Sequence, residues 1–168
     1  MGSPTKSEFK DLVLSYACCT LYLACLFSFT KMSAINEEKR PSEDTSVLQP
    51  AKAMLDKLTP EDKLRRERVL GNNMENIPLA LIVFWAAFVL QYSLNYQDVD
   101  TNNKTTVGLT ALIVMYTVLR TVHNVSYMYA IQPLRSIAFL LGEFTFLATC
   151  AMLVYLATQF DFDNFPLY

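Results

Sequence analysis

Histidine occurs once in this 168-residue chain, at His123, which excludes a metal site built from several histidines. The four cysteines, Cys18, Cys19, Cys25 and Cys150, lie inside apolar runs and show neither metal-ligand spacing nor a disulfide framework. They read as reduced, lipid-buried thiols. Basic residues do not outnumber acids: the net charge is −2, without the basic surplus of a nucleic-acid binder. Charged residues make up only 18% of the chain against 52% hydrophobic, whereas a water-soluble domain of this length is usually less apolar and more charged. A signal-peptide cleavage site of small residues is also missing near the polar residues 1–11. The apolar run that follows is too long for a signal-peptide core and is expected to remain as a membrane span. The composition is that of an integral membrane protein.

Four apolar runs organise the chain, at about residues 12–30, 77–96, 107–130 and 135–157. Each has the length of a transmembrane helix, so the expected fold is an all-α bundle of four membrane-spanning helices in a single domain covering 1–168. Residues 31–73 hold nine of the fourteen basic residues and eight of the sixteen acids. Thr59-Pro60-Glu61-Asp62 has the form of a helix start: an N-cap, proline at the first helical position, then acids in the first turn. That helix is expected to run through the polar residues into the second span, with its first turns in water and a kink at Pro78. Lysine and arginine concentrate between spans one and two, and only Lys104 lies between spans two and three. The positive-inside rule therefore puts the long loop and the turn between spans three and four in the cytosol, and both termini in the lumen. Asn103-Lys104-Thr105 matches a glycosylation acceptor, close to the membrane.

The chemistry concentrates at one end. In residues 65–78, RRERVLGNNMENIP, the side chains of Arg65, Arg68, Asn72 and Glu75 share one helical stripe just before the second span. Two arginines offer bidentate donors to carboxylate or phosphate, and Glu75 can accept from an ammonium group. The pattern suits a small zwitterion with extra carboxylates; it also suits a solvated, salt-bridged helix end. The third span carries a second stripe, Tyr116, Arg120, His123 and Tyr127. Ionisable groups inside a span are costly and either pair with something or line a cavity. Glu75 and Glu143 are the candidate structural partners of Arg120. Arg135 opens the fourth span, where the helix dipole already disfavours a cation unless an anion lies nearby. With the hydroxyl of Ser136 it would stabilise a thiolate or oxyanion; a lipid phosphate is the alternative partner. The turn after Tyr127 is short, so all three groups converge at one membrane depth.

Residues 67–69, Glu-Arg-Val, with residues 72–78, Asn-Asn-Met-Glu-Asn-Ile-Pro, resemble the MAPEG family, the membrane-associated proteins in eicosanoid and glutathione metabolism. The branch most similar contains microsomal glutathione transferase and microsomal prostaglandin E synthase. Arg120, His123 and Tyr127, then Pro133, Arg135 and Ser136, form the second match, and Pro41-Ser42-Glu43-Asp44 a weaker third. The resemblance implies a microsomal homotrimer of four-helix subunits that binds glutathione near the cytosolic boundary and acts on lipophilic electrophiles or lipid hydroperoxides. Arg65, Arg68, Asn72, Glu75, Arg120, His123 and Tyr127 would bind the tripeptide. Arg135 would stabilise its thiolate, with Ser136 as a second donor and Asp44 assisting. Two positions depart from the branch: Gly71 stands where a cationic or polar residue is common, and Phe139 where tyrosine is common. A glutathione-dependent prostaglandin E synthase-like isomerase and a non-enzymatic lipid-binding protein are the rival readings.

Overall fold

A computed structural model describes residues 6–34, 58–96 and 103–159. They form four helices: α1 (Lys6–Ser33), α2 (Pro60–Tyr96), α3 (Asn103–Met128) and α4 (Gln132–Thr158). All four are long and apolar enough to cross a membrane. The start of α2 is built as its sequence suggests. The Asp62 N–H donates to Thr59 Oγ1 at 3.2 Å, and the Thr59 hydroxyl donates to the Asp62 carboxylate at 2.7 Å, a reciprocal cap that fixes the first turn. With 37 residues α2 is about 55 Å long, well beyond a hydrocarbon core of about 30 Å, so its first turns extend into water. The helix continues without a break through Pro78.

Each helix buries one stripe. Along α2, Val69, Asn73, Ile77, Ala80, Phe84, Ala87, Gln91 and Leu94 are all buried at spacings of three and four, the period of one helix face. Leu79, Ile82, Trp85, Val89 and Tyr92 on the opposite side are exposed. In water that face would drive aggregation; in a bilayer it meets lipid of equal polarity. Helix association then depends on close packing and interhelical hydrogen bonds rather than on burial of apolar surface. Gly108 of α3 illustrates the closeness: a Cβ there would stand 3.2 Å from Met152 Cε of α4.

The cross-helix contacts fix an up-down-up-down bundle. Asn73 Nδ2 donates to Thr30 Oγ1 at 3.4 Å near the end of α1, while Tyr16, earlier in α1, stacks on Phe88, later in α2, at 4.8 Å. From α3, the guanidinium of Arg120 reaches Asn72, the hydroxyl of Tyr116 reaches Asn76, and Thr106 accepts from Gln91. The partners climb α2 as they descend α3, so the two run antiparallel.

Between α3 and α4 the chain reverses within three residues. The N–H of Ile131 donates to Ser126 O at 2.9 Å and that of Ala130 to Tyr127 O at 3.2 Å, the paired bonds of a Schellman turn. Ala130 occupies the left-handed position, with φ 58°, where glycine is preferred. The turn ends α3 at Met128, two residues short of the expected boundary, and lets α4 begin at Gln132 with Pro133 in its first turn. α3 also starts earlier than its apolar run, so Asn103 opens the helix. Ala130→Gly is expected to relieve backbone strain of about 1 kcal/mol. It should raise the thermal unfolding midpoint in detergent by about 2–4 °C, measured by circular dichroism.

Candidate functional site

The polar stripe on α2 divides lengthwise. Its inner edge, Arg65 and Asn72, is half-buried next to the packed face, whereas Arg68 and Glu75 on the outer edge are exposed. Arg65 is held by acids of its own helix: Nη2 lies 3.3 Å from Glu61 Oε2 and Nη1 lies 3.1 Å from Asp62 Oδ1. Asn72 is held through its backbone, because its carbonyl accepts from Asn76 Nδ2 at 2.8 Å and from Arg120 Nη2 at 2.9 Å. Gly71 is exposed, with nothing within 4 Å of where a Cβ would stand. Packing therefore does not dictate the missing side chain.

The α3 stripe faces inward. Tyr116, Arg120 and His123 are buried and Tyr127 half-buried. Neither sequence-level partner of Arg120 forms a contact pair with it: instead of the Glu75 or Glu143 carboxylate, Arg120 bonds the Asn72 carbonyl. Glu143 of α4 remains within electrostatic reach of it. One turn deeper, the Tyr116 hydroxyl donates to Asn76 O at 3.3 Å. The two side chains pin consecutive turns of α2 immediately before Pro78.

His123 and Tyr127 face the start of α4. His123 Nδ1 lies 3.2 Å from Arg135 O, and a carbonyl only accepts, so Nδ1 carries the proton. In the neutral ring Nε2 then presents a lone pair; it is buried without a partner. The guanidinium of Arg135 sits over the Tyr127 ring, 4.6 Å from Cζ to the centroid. The Phe139 ring packs 5.6 Å from His123, between centroids, on the side of α4 that carries Arg135. Ser136 is exposed and donates back to Gln132 O at 3.4 Å, so its lone pairs rather than its proton face outward. The first turn of α4 has no side-chain cap hydrogen bond. Its N–H groups add to the positive potential around Arg135.

Sequence reasoning singled out ten residues, and nine lie within the described chain; Asp44 lies outside it. Three groupings result. Asn72 and Arg120 meet directly; His123, Tyr127 and Arg135 form a second cluster; Arg68, Glu75 and Ser136 stay on the outer surface. Several buried polar atoms among these residues and their neighbours have no partner among the described residues: Asn72 Oδ1, Asn73 Oδ1, Arg120 Nε, His123 Nε2, Ser126 Oγ and both amide atoms of Asn124. Asn73, Asn124 and Ser126 escaped the sequence reading. For Asn124 and Ser126 the available signal was an asparagine or serine within two turns of His123 in an otherwise apolar span; for Asn73, on α2, there was none. The set offers cations, an amide oxygen and an imidazole lone pair at one end of the bundle, suited to a ligand rich in carboxylates and amides.

The MAPEG family model matches residues 12–158, and the chain belongs to that family. No curated protein and no solved structure matches the chain significantly.

The Arg120 guanidinium forms one hydrogen bond to a carbonyl, and its Nε is buried without a partner. Desolvating a charge under those terms costs more than one charged hydrogen bond returns. Arg120→Met, which keeps the length and removes the charge, is therefore expected to leave the thermal midpoint unchanged or raised. Arg120→Ala also opens a cavity and should lower stability by about 2 kcal/mol. Thermal unfolding of both variants in detergent checks this, and a clear loss of stability in Arg120→Met would make the arginine a structural strut.

Proposed function

We propose that this MAPEG-family protein is a membrane glutathione transferase with peroxidase capacity, of the microsomal glutathione transferase and prostaglandin E synthase branch. The observation that carries the reading is Arg135, a guanidinium braced on Tyr127 at the uncapped N-terminal turn of α4. A free thiol has a pKa of about 8.5, and only its thiolate is a good nucleophile. A cation and the positive end of a helix, set at the edge of a low-dielectric layer, both lower the cost of that negative charge. On this reading the glutathione S–H proton leaves to water. The sulfur electron pair then attacks an electrophilic carbon, with expulsion of the leaving group. With a lipid hydroperoxide the same pair attacks the terminal oxygen, releasing the alcohol and a sulfenic acid that a second glutathione reduces to the disulfide.

The remaining groups are assigned by their chemistry. Arg68 and Arg65 suit the two carboxylates, Glu75 the ammonium group, and Asn72 and His123 the peptide amides. Arg120 acts behind them, as the residue that positions Asn72. Ser136 becomes a second donor to the sulfur once its hydroxyl turns away from the Gln132 carbonyl it bonds at 3.4 Å, and Asp44, outside the described residues, is an auxiliary acid. Arg68, Glu75 and Ser136 are exposed in the single chain. That supports a homotrimer in which a neighbouring copy closes the site. The reading takes the chain as one domain in the endoplasmic reticulum membrane, with the site toward the cytosol and the termini lumenal. Apolar co-substrates then arrive laterally through the bilayer, glutathione from water. Phe139, which keeps a ring and lacks a hydroxyl, favours one rival, a non-enzymatic lipid-binding member.

Conjugation of a chlorinated nitrobenzene and reduction of a lipid hydroperoxide by the purified protein separate these readings. Arg135→Ala should lower kcat about 100-fold, the scale for losing one donor to a developing anion. Arg68→Ala should raise the KM for glutathione about tenfold with little change in kcat. Wild-type protein that fails to bind glutathione at millimolar concentration would reject the enzyme.

A further inference from the structure

A separate cavity of about 340 Å³ opens where the water-side extension of α2 meets the α3–α4 turn, lined by Leu58, Asp62, Arg65, Arg66, Met128 and Tyr129. Two cations and one carboxylate line it, so one positive charge is in excess. Arg65 is paired with Asp62 across 3.1 Å and with Glu61 across 3.3 Å, and Asp62 is further bonded by Thr59 and feels the charge of Arg66 without pairing with it. The surplus therefore belongs to Arg66. Arg66 is half-buried, and its guanidinium makes no hydrogen bond or ion pair within the described residues. An obvious internal role would be to cap the C-terminus of α3. That end is closed without it, since the carbonyls of Ser126 and Tyr127 accept from Ile131 and Ala130.

The other walls are apolar or amphipathic. Met128 and Leu58 supply the apolar surface, and Tyr129 is 75% exposed at the point where α3 leaves the bundle. Tyrosine at a helix end of this kind sits at headgroup level. The next exposed large apolar side chains, Ile131 at the N-cap of α4 and Leu134 in its first turn, begin an apolar surface that continues along α4. An unpaired guanidinium on the water side and an aromatic at the boundary, with an aliphatic surface continuing into the membrane, match the layered chemistry of a phospholipid. The volume far exceeds the roughly 30 Å³ of a water molecule and admits a phosphodiester with its glycerol.

We infer that this cavity binds the headgroup of an anionic phospholipid. The Arg66 guanidinium takes the phosphate through paired N–H donors, Tyr129 lies at the glycerol level, and the acyl chains run down over Ile131 and Leu134. Such a lipid clamps the α2 extension to the turn that carries Tyr127 and Arg135. Arg65 lines this cavity and is also assigned to a glutathione carboxylate, but the phosphate is taken by Arg66, which has no role toward glutathione, so the inference does not depend on glutathione being the substrate.

The test is thermal unfolding of the full-length protein in uncharged detergent, with native mass spectrometry counting bound lipid. Phosphatidylserine should raise the midpoint by about 3 °C or more and appear as retained adducts. Phosphatidylcholine and millimolar inorganic phosphate should do neither. Arg66→Gln should keep the lipid-free midpoint and lose most of the rise, while Lys104→Gln, at the opposite end of the bundle, should keep both. An equal response to phosphatidylcholine, or an undiminished phosphatidylserine response in Arg66→Gln, would overturn the proposal. So would stabilisation by inorganic phosphate alone, which would make the cavity a free-phosphate site.

Discussion

The structure depends on how a charged side chain is accommodated inside a bundle that has no water to offer it. Arg120 is buried between α2 and α3 and spends one of its donors on the carbonyl of Asn72. Association of membrane helices gains little from the hydrophobic effect, so a charged interhelical bond weighs more in setting register than it would in a soluble core. With Tyr116 on Asn76, the bond aligns the α2 stripe with the α3 column. The arrangement orders the site and leaves it electrostatically unsettled: a guanidinium with an unbonded Nε retains the capacity to attract an anion. Stability alone gives a weak reason for an arginine here, because well-packed apolar residues commonly replace buried charges at no cost.

A second constraint comes from the α3–α4 turn. Had α3 continued to Ala130 and unwound gradually, Arg135 would have no fixed height relative to Tyr127. The paired bonds into Ser126 and Tyr127 force the reversal, at the cost of a left-handed alanine. His123 then reads the position of α4 through the carbonyl of Arg135, while Tyr127 reads it through the guanidinium. Backbone and side chain of one residue are thus gripped by two successive turns of α3.

Much of this was legible in the sequence, for a physical reason. Four apolar runs of membrane length leave few alternatives to a helical bundle, and Thr59-Pro60-Glu61-Asp62 defines the start of α2 by local chemistry alone. The inward stripe on α3 followed from periodicity, and the short turn brought Tyr127 and Arg135 to one depth. Periodicity gave less for Arg65, Arg68, Asn72 and Glu75. They share one stripe, yet that stripe straddles the edge of the packed face, and an 80° arc cannot say which of its sides touches a neighbouring helix. The partner of Arg120 was also hidden, because sequence inspection searches for carboxylates and the acceptor is a backbone carbonyl. The Thr30 partner of Asn73 and the Arg66 cavity were hidden for a related reason: each arises from the relative rotation and height of helices, set by packing between distant residues.

The distribution of exposure carries the last step. The side chains that make hydrogen bonds between helices, Arg120, Tyr116, Asn73 and His123, are sealed within the bundle. Arg68, Glu75 and Ser136, two opposite charges and a hydroxyl, stand on its outer surface, with Arg135 half-exposed between the two sets. A fold that needed these outer groups for its own stability would have buried and paired them, since exposed ion pairs contribute little. Left open near the membrane boundary, they are available to something outside the chain. Gly71 beside them keeps that surface low and uncrowded, and Phe139, one turn after Arg135, packs its ring against His123. The guanidinium of Arg135 therefore has the Tyr127 ring on one side and an open approach on the other. An anion drawn to that open side is screened less than one in bulk water, because part of its surroundings is low-dielectric protein.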